Sequence, residues 1–354
     1  MKMSLRWFTS HFDKVTLPEI RQIPGVEGVV TALTDLPAGQ VWPKLRIRQM
    51  MDDLKQHGLN LLAIESVNVH DSIKAGTEDR DFYIERYIET LKMLSEFGVD
   101  LVCYNFMPIF DWTRTDLAKP REDGSTVLSY DHSLLSDSDP NQIIEEMRKK
   151  QNDYILPGWE KERLDRLQQL FAIYENIDEN KLYENLVYFL NAVIPECEAV
   201  GIRMAIHPDD PPWPVFGLPR IVKNASDLKK IIEAVDSPSN CVTLCTGSLG
   251  SDPRNDVPSI IRSLKGKIAF AHVRNVKHVS EGVFEESAHY QKDGSLNMYE
   301  IMKAFVDIGF DGVMRPDHGR AIWEETSVAG YGLYDRALGS QYLFGLYDAI
   351  MEGR

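Results

Sequence analysis

The chain has 354 residues, of which 43% are hydrophobic and 26% are charged, a composition typical of soluble globular proteins. Its formal net charge of −15 disfavours binding to nucleic acid, because phosphate backbones require a positive protein surface. No stretch approaches the roughly 20 apolar residues of a membrane span, and the first residues lack the apolar segment of a signal peptide. We therefore expect a cytoplasmic protein with no nucleic-acid or membrane partner, whose 4 cysteines form no disulfide framework.

Apolar runs typical of β-strands recur along the chain, and amphipathic helical patterns lie between several of them. We predict eight strands, at residues 5–9, 27–33, 59–66, 100–107, 202–208, 241–247, 267–275 and 311–317. The helical patterns "RQMMDDLKQHG" and "IERYIETLKMLSEFG" end in glycine, which closes a helix because it adopts left-handed φ without strain. Strands that alternate with helices pair in parallel, and eight such units indicate a closed (β/α)8 TIM barrel. An open doubly wound sheet is the alternative, but no G-x-G-x-x-G motif follows an early strand.

A long segment, residues 108 to about 180, interrupts this rhythm between the fourth and fifth strands. It opens with "MPIFDWTRTDLAKPREDGS" and is far longer than one crossover helix requires. Loops of this length are usually functional or disordered, and this one begins at the mouth of the barrel. We predict one domain over residues 1–354, in which the insertion serves as a lid or as an oligomerisation element.

Four consecutive strands end in, or carry near the end, a side chain that can bind a metal ion. These side chains are His207, Cys245, His272 and Asp317. Because the carboxyl ends of all barrel strands meet at one mouth, we expect the four side chains to surround one site. Each residue alone could be structural, but two imidazoles, a thiolate and a carboxylate together suit Mn²⁺, Fe²⁺, Co²⁺ or Zn²⁺ better than Mg²⁺ or Ca²⁺.

Two arginines each lie two residues away from a predicted ligand. Their side chains therefore point to the same face of the strand as that ligand. Arg274 and Arg315 could bind the carboxylate of an anionic substrate, or they could pair with neighbouring acids. His318 follows Asp317 at the rim of the barrel, where its imidazole could reach a substrate. His70 follows the third strand and could also reach the mouth. We expect the histidines of polar segments to be exposed to solvent: His11, His57, His132, His278 and His289.

Four segments, "CYNFMPIFDWTRTDL", "RMAIHPDDPPWPVFGLPRIV", "CTGSLG" and "MRPDHGR", closely resemble bacterial D-mannonate dehydratases. The similarity extends from "LRWFTSHFDKVTL" to "GYGLYDRALG", which is essentially the whole chain. It implies a xylose-isomerase-like TIM barrel that dehydrates D-mannonate to 2-keto-3-deoxy-D-gluconate in hexuronate breakdown, with Mn²⁺ or Fe²⁺ as cofactor. It also implies a homo-oligomer, at least a dimer, and the metal ligands that strand position indicates: His207, Cys245, His272 and Asp317.

The reaction implied by the resemblance removes a proton from C2 and hydroxide from C3 of a sugar acid, and so needs two groups that move protons. The resemblance points to His318 and Tyr331 for these roles. The residue types do not decide which of the two is the acid, because Arg274 could stabilise a tyrosinate.

The segment "FDWTRTDL" follows the fourth strand at the same mouth. Asp111, Arg114 and Asp116 could hydrogen-bond the hydroxyl groups of a sugar acid, and Trp112 could close over it; a self-capped loop is the alternative. Two other functions stay open at this point. One is a metal-dependent sugar isomerase or epimerase, and the other is a non-catalytic sugar-acid binding protein.

Overall fold

The structure, a computed structural model, describes residues 1–136 and 167–353. Its strands are numbered β1 to β12 in chain order, and eight of them are parallel and close into a barrel in the order β1-β12-β9-β8-β7-β4-β3-β2. The predicted TIM barrel is thereby confirmed. The barrel strands are β1 (Lys2–Arg6), β2 (Val26–Thr31), β3 (Asn60–Glu65), β4 (Leu101–Tyr104), β7 (Arg203–Ile206), β8 (Asn240–Cys245), β9 (Ile268–His272) and β12 (Val313–Arg315).

Helices connect the strands on the outside of the barrel. The two predicted helical patterns that end in glycine form α2 and α4, and Gly58 and Gly98 follow them with φ of 66° and 79°. No helix of the described residues is both long and apolar enough for a bilayer crossing. The described helices are α1 (Leu17–Arg21), α2 (Lys44–Gln56), α3 (Asp71–Ala75), α4 (Arg80–Ser95), α5 (Ser133–Ser136), α6 (Leu167–Tyr174), α7 (Glu179–Val200), α8 (Ala225–Ala234), α9 (Thr246–Gly250), α10 (Val257–Ser263), α11 (Met298–Asp307) and α12 (Leu333–Glu352).

Side chains along the barrel strands alternate between two apolar layers, because successive residues of a strand point to opposite faces. In β1, Met3 and Leu5 belong to the large core between the strands and the helices. A smaller core of mostly short side chains, among them Ala63 and Ala205, fills the inside of the barrel. Ser4 and Arg6 alternate with the outward residues of β1 and therefore face the barrel axis.

Part of the predicted insertion belongs to a second sheet, which the sequence did not reveal. It is antiparallel, in the order β10-β11-β6-β5, and joins the start of the insertion to the chain that follows β9. Residues 137–166 of the insertion lie outside the described residues, and its role as a lid or an oligomerisation element stays a prediction. The strands of this sheet are β5 (Asp116–Pro120), β6 (Thr126–Asp131), β10 (Val276–Ser280) and β11 (Val283–Glu286).

Candidate functional site

The pairing register of the barrel places functional side chains of three neighbouring strands in one row. Cys245 at the end of β8 pairs with His272 of β9, and His272 pairs with Arg315 of β12. His207 directly follows β7, and its backbone N–H donates to the carbonyl oxygen of Tyr104 at 2.9 Å. The carboxyl ends of these strands therefore form one polar layer at the mouth, where TIM-barrel active sites lie.

Three of the four predicted metal ligands meet in this layer. One ligand atom from each of His207, Cys245 and His272 lies within 4.8 Å of the other two. The Nε2 atom of His207 is 3.1 Å from the Nδ1 atom of His272. Two imidazole nitrogens and one sulfur at this spacing suit a divalent transition ion.

Asp317, the fourth predicted ligand, lies beside this cluster. Its Oδ2 atom is 3.5 Å from Cys245 Sγ, and its Oδ1 atom is 3.7 Å from His272 Nδ1. Oδ1 is buried and accepts no hydrogen bond from the described residues, although Arg315 Nη2 forms an ion pair with it at 2.9 Å. The backbone of Asp317 has a φ of 62°, which is uncommon for a residue with a side chain. A carboxylate at this position fits a fourth ligand, a role that stays a prediction.

Two further residues contact the predicted ligands. Ser248, in the first turn of α9, donates its hydroxyl to Cys245 Sγ at 3.0 Å. Glu65, which ends β3, has Oε2 3.4 Å from His272 Nε2 and accepts from Arg315 Nη2 at 2.9 Å. Burial alone would raise the pKa of Glu65, but the charge of Arg315 and the contact with His272 hold it below its ordinary value. Sequence reasoning missed Glu65, although the strand-end argument applied to the later strands would have found it.

Arg274 lies at the centre of a buried network of charges. Its guanidinium donates to Asp317 Oδ2 at 2.6 Å, to Asp210 Oδ2 at 2.7 Å and to both oxygens of Glu286 at 2.6 and 2.7 Å. Arg114 joins the same network, with bonds to Asp210 at 2.8 and 3.0 Å and to Glu286 at 2.8 Å. Both arginines therefore pair with acids. For Arg274, the sequence had left open whether it pairs with acids or binds a substrate carboxylate.

The acids of this network stay ionised. Burial alone would raise the pKa of Glu286, but Arg274 and the hydrogen bond to His318 lower it to about 2. Burial opposes the ionisation of Asp210 as well, yet Arg114 and Arg274 hold its pKa below the ordinary value. Sequence reasoning missed Glu286 and the role of Asp210, because their partners are distant in sequence.

His318 and Tyr331 form a hydrogen-bonded pair next to the predicted metal ligands. His318 Nε2 is 2.9 Å from the Tyr331 hydroxyl, and its Nδ1 is 3.4 Å from Glu286 Oε1. Burial raises the pKa of Tyr331 above its ordinary value, although Arg315 opposes this shift. The ring of Trp112 lies 5.6 Å from the His318 ring, between centroids. The structure thus brings the predicted proton-transfer pair and Trp112 together.

Other predicted residues have different surroundings. Asp111 is buried, with Oδ1 3.7 Å from Lys74 Nζ. Asp116 accepts from the Ala118 N–H at 2.9 Å, as a turn-forming residue does. His70 caps α3 by accepting from the Ser72 N–H at 3.2 Å. The prediction that His289 is exposed is wrong. The side chain is buried, and its Nε2 donates to the carbonyl oxygen of Pro316, the residue before Asp317, at 2.6 Å.

The whole chain is similar to known proteins. The profile of the D-mannonate dehydratase (UxuA) family matches residues 1–354. The chain belongs to the D-mannonate dehydratase family. A mannonate dehydratase of Brachyspira hyodysenteriae is 58% identical over 350 residues, covering 99% of each chain. The crystal structure of mannonate dehydratase from Streptococcus suis serotype 2 superposes with a TM-score of 0.87 at 42% identity, covering 100% of this chain and 94% of that one.

These findings confirm the resemblance stated from the sequence. Mannonate dehydratases are hydro-lyases, and this member of their family is an enzyme of that class. A xylose isomerase domain protein from Planctomyces limnophilus matches 99% of the chain with a TM-score of 0.58 at 10% identity and covers 98% of that protein. At that identity the likeness concerns the fold alone, and it confirms the xylose-isomerase-like barrel.

Gly247 leaves the space that Arg274 occupies. A Cβ atom at this position would lie 2.3 Å from the Arg274 Cζ atom. We expect Gly247→Ala to displace the guanidinium and to lower kcat/KM for D-mannonate by about 100-fold, since small misplacements in an active site have effects of that size. Steady-state kinetics measure this loss.

Gly345→Ala is the matched control for this change. Gly345 lies in α12 with no atom within 4 Å of the added methyl group, so its turnover should equal that of the wild type. Normal kinetics for Gly247→Ala would show that the site does not depend on the position of Arg274.

Proposed function

We propose that the enzyme dehydrates D-mannonate to 2-keto-3-deoxy-D-gluconate in hexuronate (glucuronate) catabolism, with Mn²⁺ or Fe²⁺ as cofactor. The observation that supports the metal most directly is the convergence of His207, Cys245 and His272 within 4.8 Å. Asp317, whose Oδ1 lies 3.7 Å from His272 Nδ1, is the fourth ligand in this proposal. Membership of the family supports the substrate.

The donor set supports the choice of metal. Nitrogen and sulfur ligands disfavour Mg²⁺ and Ca²⁺, which prefer oxygen. When bound, Mn²⁺ or Fe²⁺ would supply a Lewis acid that stabilises negative charge on the sugar acid. The contacts of Glu65 with His272 and of Ser248 with Cys245 orient the ligands, as outer partners of metal ligands usually do.

His318 and Tyr331 carry the proton transfers in this proposal. Glu286 lies next to His318 Nδ1 and so favours a proton on that nitrogen, which leaves Nε2 to accept the hydrogen bond of the Tyr331 hydroxyl. The raised pKa keeps Tyr331 protonated at neutral pH. We therefore assign the neutral imidazole of His318 as the base at C2 and the phenol of Tyr331 as the acid that protonates the departing hydroxyl at C3.

The mouth also holds groups that can bind the substrate. Arg315 keeps Nε and Nη1 without a hydrogen-bond partner among the described residues, so both can donate to a substrate oxygen. Asp111, Trp112 and Arg114 complete the proposed contacts, with Arg114 Nε also unbonded. Arg274 acts on the reaction through Asp317 and Glu286, both of which it holds.

Product analysis tests the proposed function. Purified protein with Mn²⁺ and D-mannonate should form a 2-keto-3-deoxy acid. Conversion of an aldose or a ketose without any 2-keto-3-deoxy acid would favour the sugar isomerase or epimerase instead. Binding of D-mannonate without any conversion would favour the non-catalytic sugar-acid binding protein.

Replacement of the thiolate ligand tests the metal site. We expect Cys245→Ala to lose bound metal and turnover together, because it removes one of four ligands. Metal content by atomic spectroscopy and initial rates measure both. Cys241→Ala is the matched control, since Cys241 lies four residues earlier on the same face of β8. Full metal occupancy in Cys245→Ala would remove the sulfur from the ligand set.

Removal of the proton-transfer groups should separate catalysis from metal binding. We expect His318→Asn and Tyr331→Phe to keep the metal and to lose about 10²- to 10⁴-fold in kcat, the usual contribution of a general acid or base. Tyr87→Phe is the control, because Tyr87 is buried among apolar residues outside the barrel strands. Wild-type kcat in both site variants would exclude this pair from the mechanism.

The proposal also includes a cytoplasmic location and a homo-oligomer of two or more chains, as the family resemblance implies. Light scattering of the purified protein measures the assembly. A particle of a single 40.4 kDa chain would contradict it.

A further inference from the structure

Arg6 is a buried cation at the mouth of the barrel that the predicted site did not include. It is the last residue of β1, and its side chain faces the barrel axis because those of Met3 and Leu5 face the helices. It is only 3% exposed. Burial lowers the pKa of the Arg6 guanidinium, and the charge of Glu65, a residue of the site, opposes this shift. Arg6 therefore stands in the same polar layer as the groups that the proposed reaction uses.

Arg6 differs from the other arginines of the mouth in its partners. Arg114, Arg274 and Arg315 each bind two or more carboxylates. Arg336 binds three backbone carbonyl oxygens, at 2.6 to 2.7 Å. Within the described residues, no carboxylate lies within 4 Å of the Arg6 guanidinium, and its Nη1 atom is buried without a hydrogen bond.

The Arg6 guanidinium is nonetheless held in place. Its Cζ atom lies 4.5 Å from the centroid of the Phe8 ring, in a cation–π contact. The same ring lies 4.8 Å from that of Tyr331. Arg336 fixes the end of β1 by donating to the carbonyl oxygen of Arg6 at 2.7 Å. A positioned cation without a counterion is costly to bury, and an anion that enters the mouth would offset that cost.

We propose that Arg6 binds the carboxylate of the sugar-acid substrate. A guanidinium matches a carboxylate through two parallel hydrogen bonds, and Arg6 has its donors free for them. The Phe8 ring contacts both the Arg6 guanidinium and the Tyr331 ring, which places Arg6 near the proton-transfer pair. This role makes the enzyme select acids over neutral sugars, and it rests on the proposed dehydration of D-mannonate.

Kinetics of two variants of the metal-loaded enzyme test this role. We expect Arg6→Met to raise KM for D-mannonate by about 100-fold with a smaller change in kcat, because a buried charge-assisted pair is lost. Arg6→Lys should recover about a tenth of the wild-type affinity, since it restores the charge without the two-pronged geometry. Arg48→Met, which removes the same charge from an exposed position on α2, should behave as the wild type.

The outcomes separate this inference from the proposed function. Turnover of D-mannonate by the wild type with an unchanged KM in Arg6→Met would overturn the inference and leave the function standing. Equal losses in Arg6→Met and Arg6→Lys would indicate a purely structural role and would also overturn it. A wild type without turnover of D-mannonate would overturn the proposed function and this inference with it. Should Arg6→Met fail to fold, the KM of Arg6→Lys decides: a wild-type value would contradict the role.

Discussion

The parallel register of the barrel is the constraint on which the site depends. Because β8, β9 and β12 pair in register, Cys245, His272 and Arg315 form one row at their carboxyl ends. A shift of one residue in this pairing would turn one of these side chains into the outer core. The chemistry of the site is therefore set by the hydrogen bonds that close the barrel.

Charge balance is the second organising principle. The carboxylates of Glu65, Asp210, Glu286 and Asp317 meet the guanidinium groups of three arginines, and Arg6 adds a fourth cation without an acid of its own. The four guanidinium groups match these four carboxylates in number, so the further negative charge of a sugar acid calls for a further cation, which the proposed metal ion would supply. The same network explains why its acids have depressed pKa values despite deep burial.

The sequence predicts the barrel and much of the site because strand ends can be located from local patterns. It does not predict the second sheet, whose β6 and β11 are more than 150 residues apart and pair only in the folded chain. The carboxylates that bind Arg274 were not predicted as its partners either, because they meet its guanidinium only in the folded chain. Arg6 was missed because the first strand was predicted at residues 5–9, whereas β1 ends at Arg6. His289 lies in a polar segment, yet its side chain is buried and hydrogen-bonds the carbonyl oxygen of Pro316, just before Asp317.

Anomalous diffraction from a crystal of the Mn²⁺-loaded enzyme tests the proposed metal site. We predict one strong peak among His207 Nε2, Cys245 Sγ, His272 Nδ1 and Asp317 Oδ1, with every ligand at coordination distance. A peak elsewhere in the molecule, or a metal that lacks the sulfur of Cys245, would contradict it.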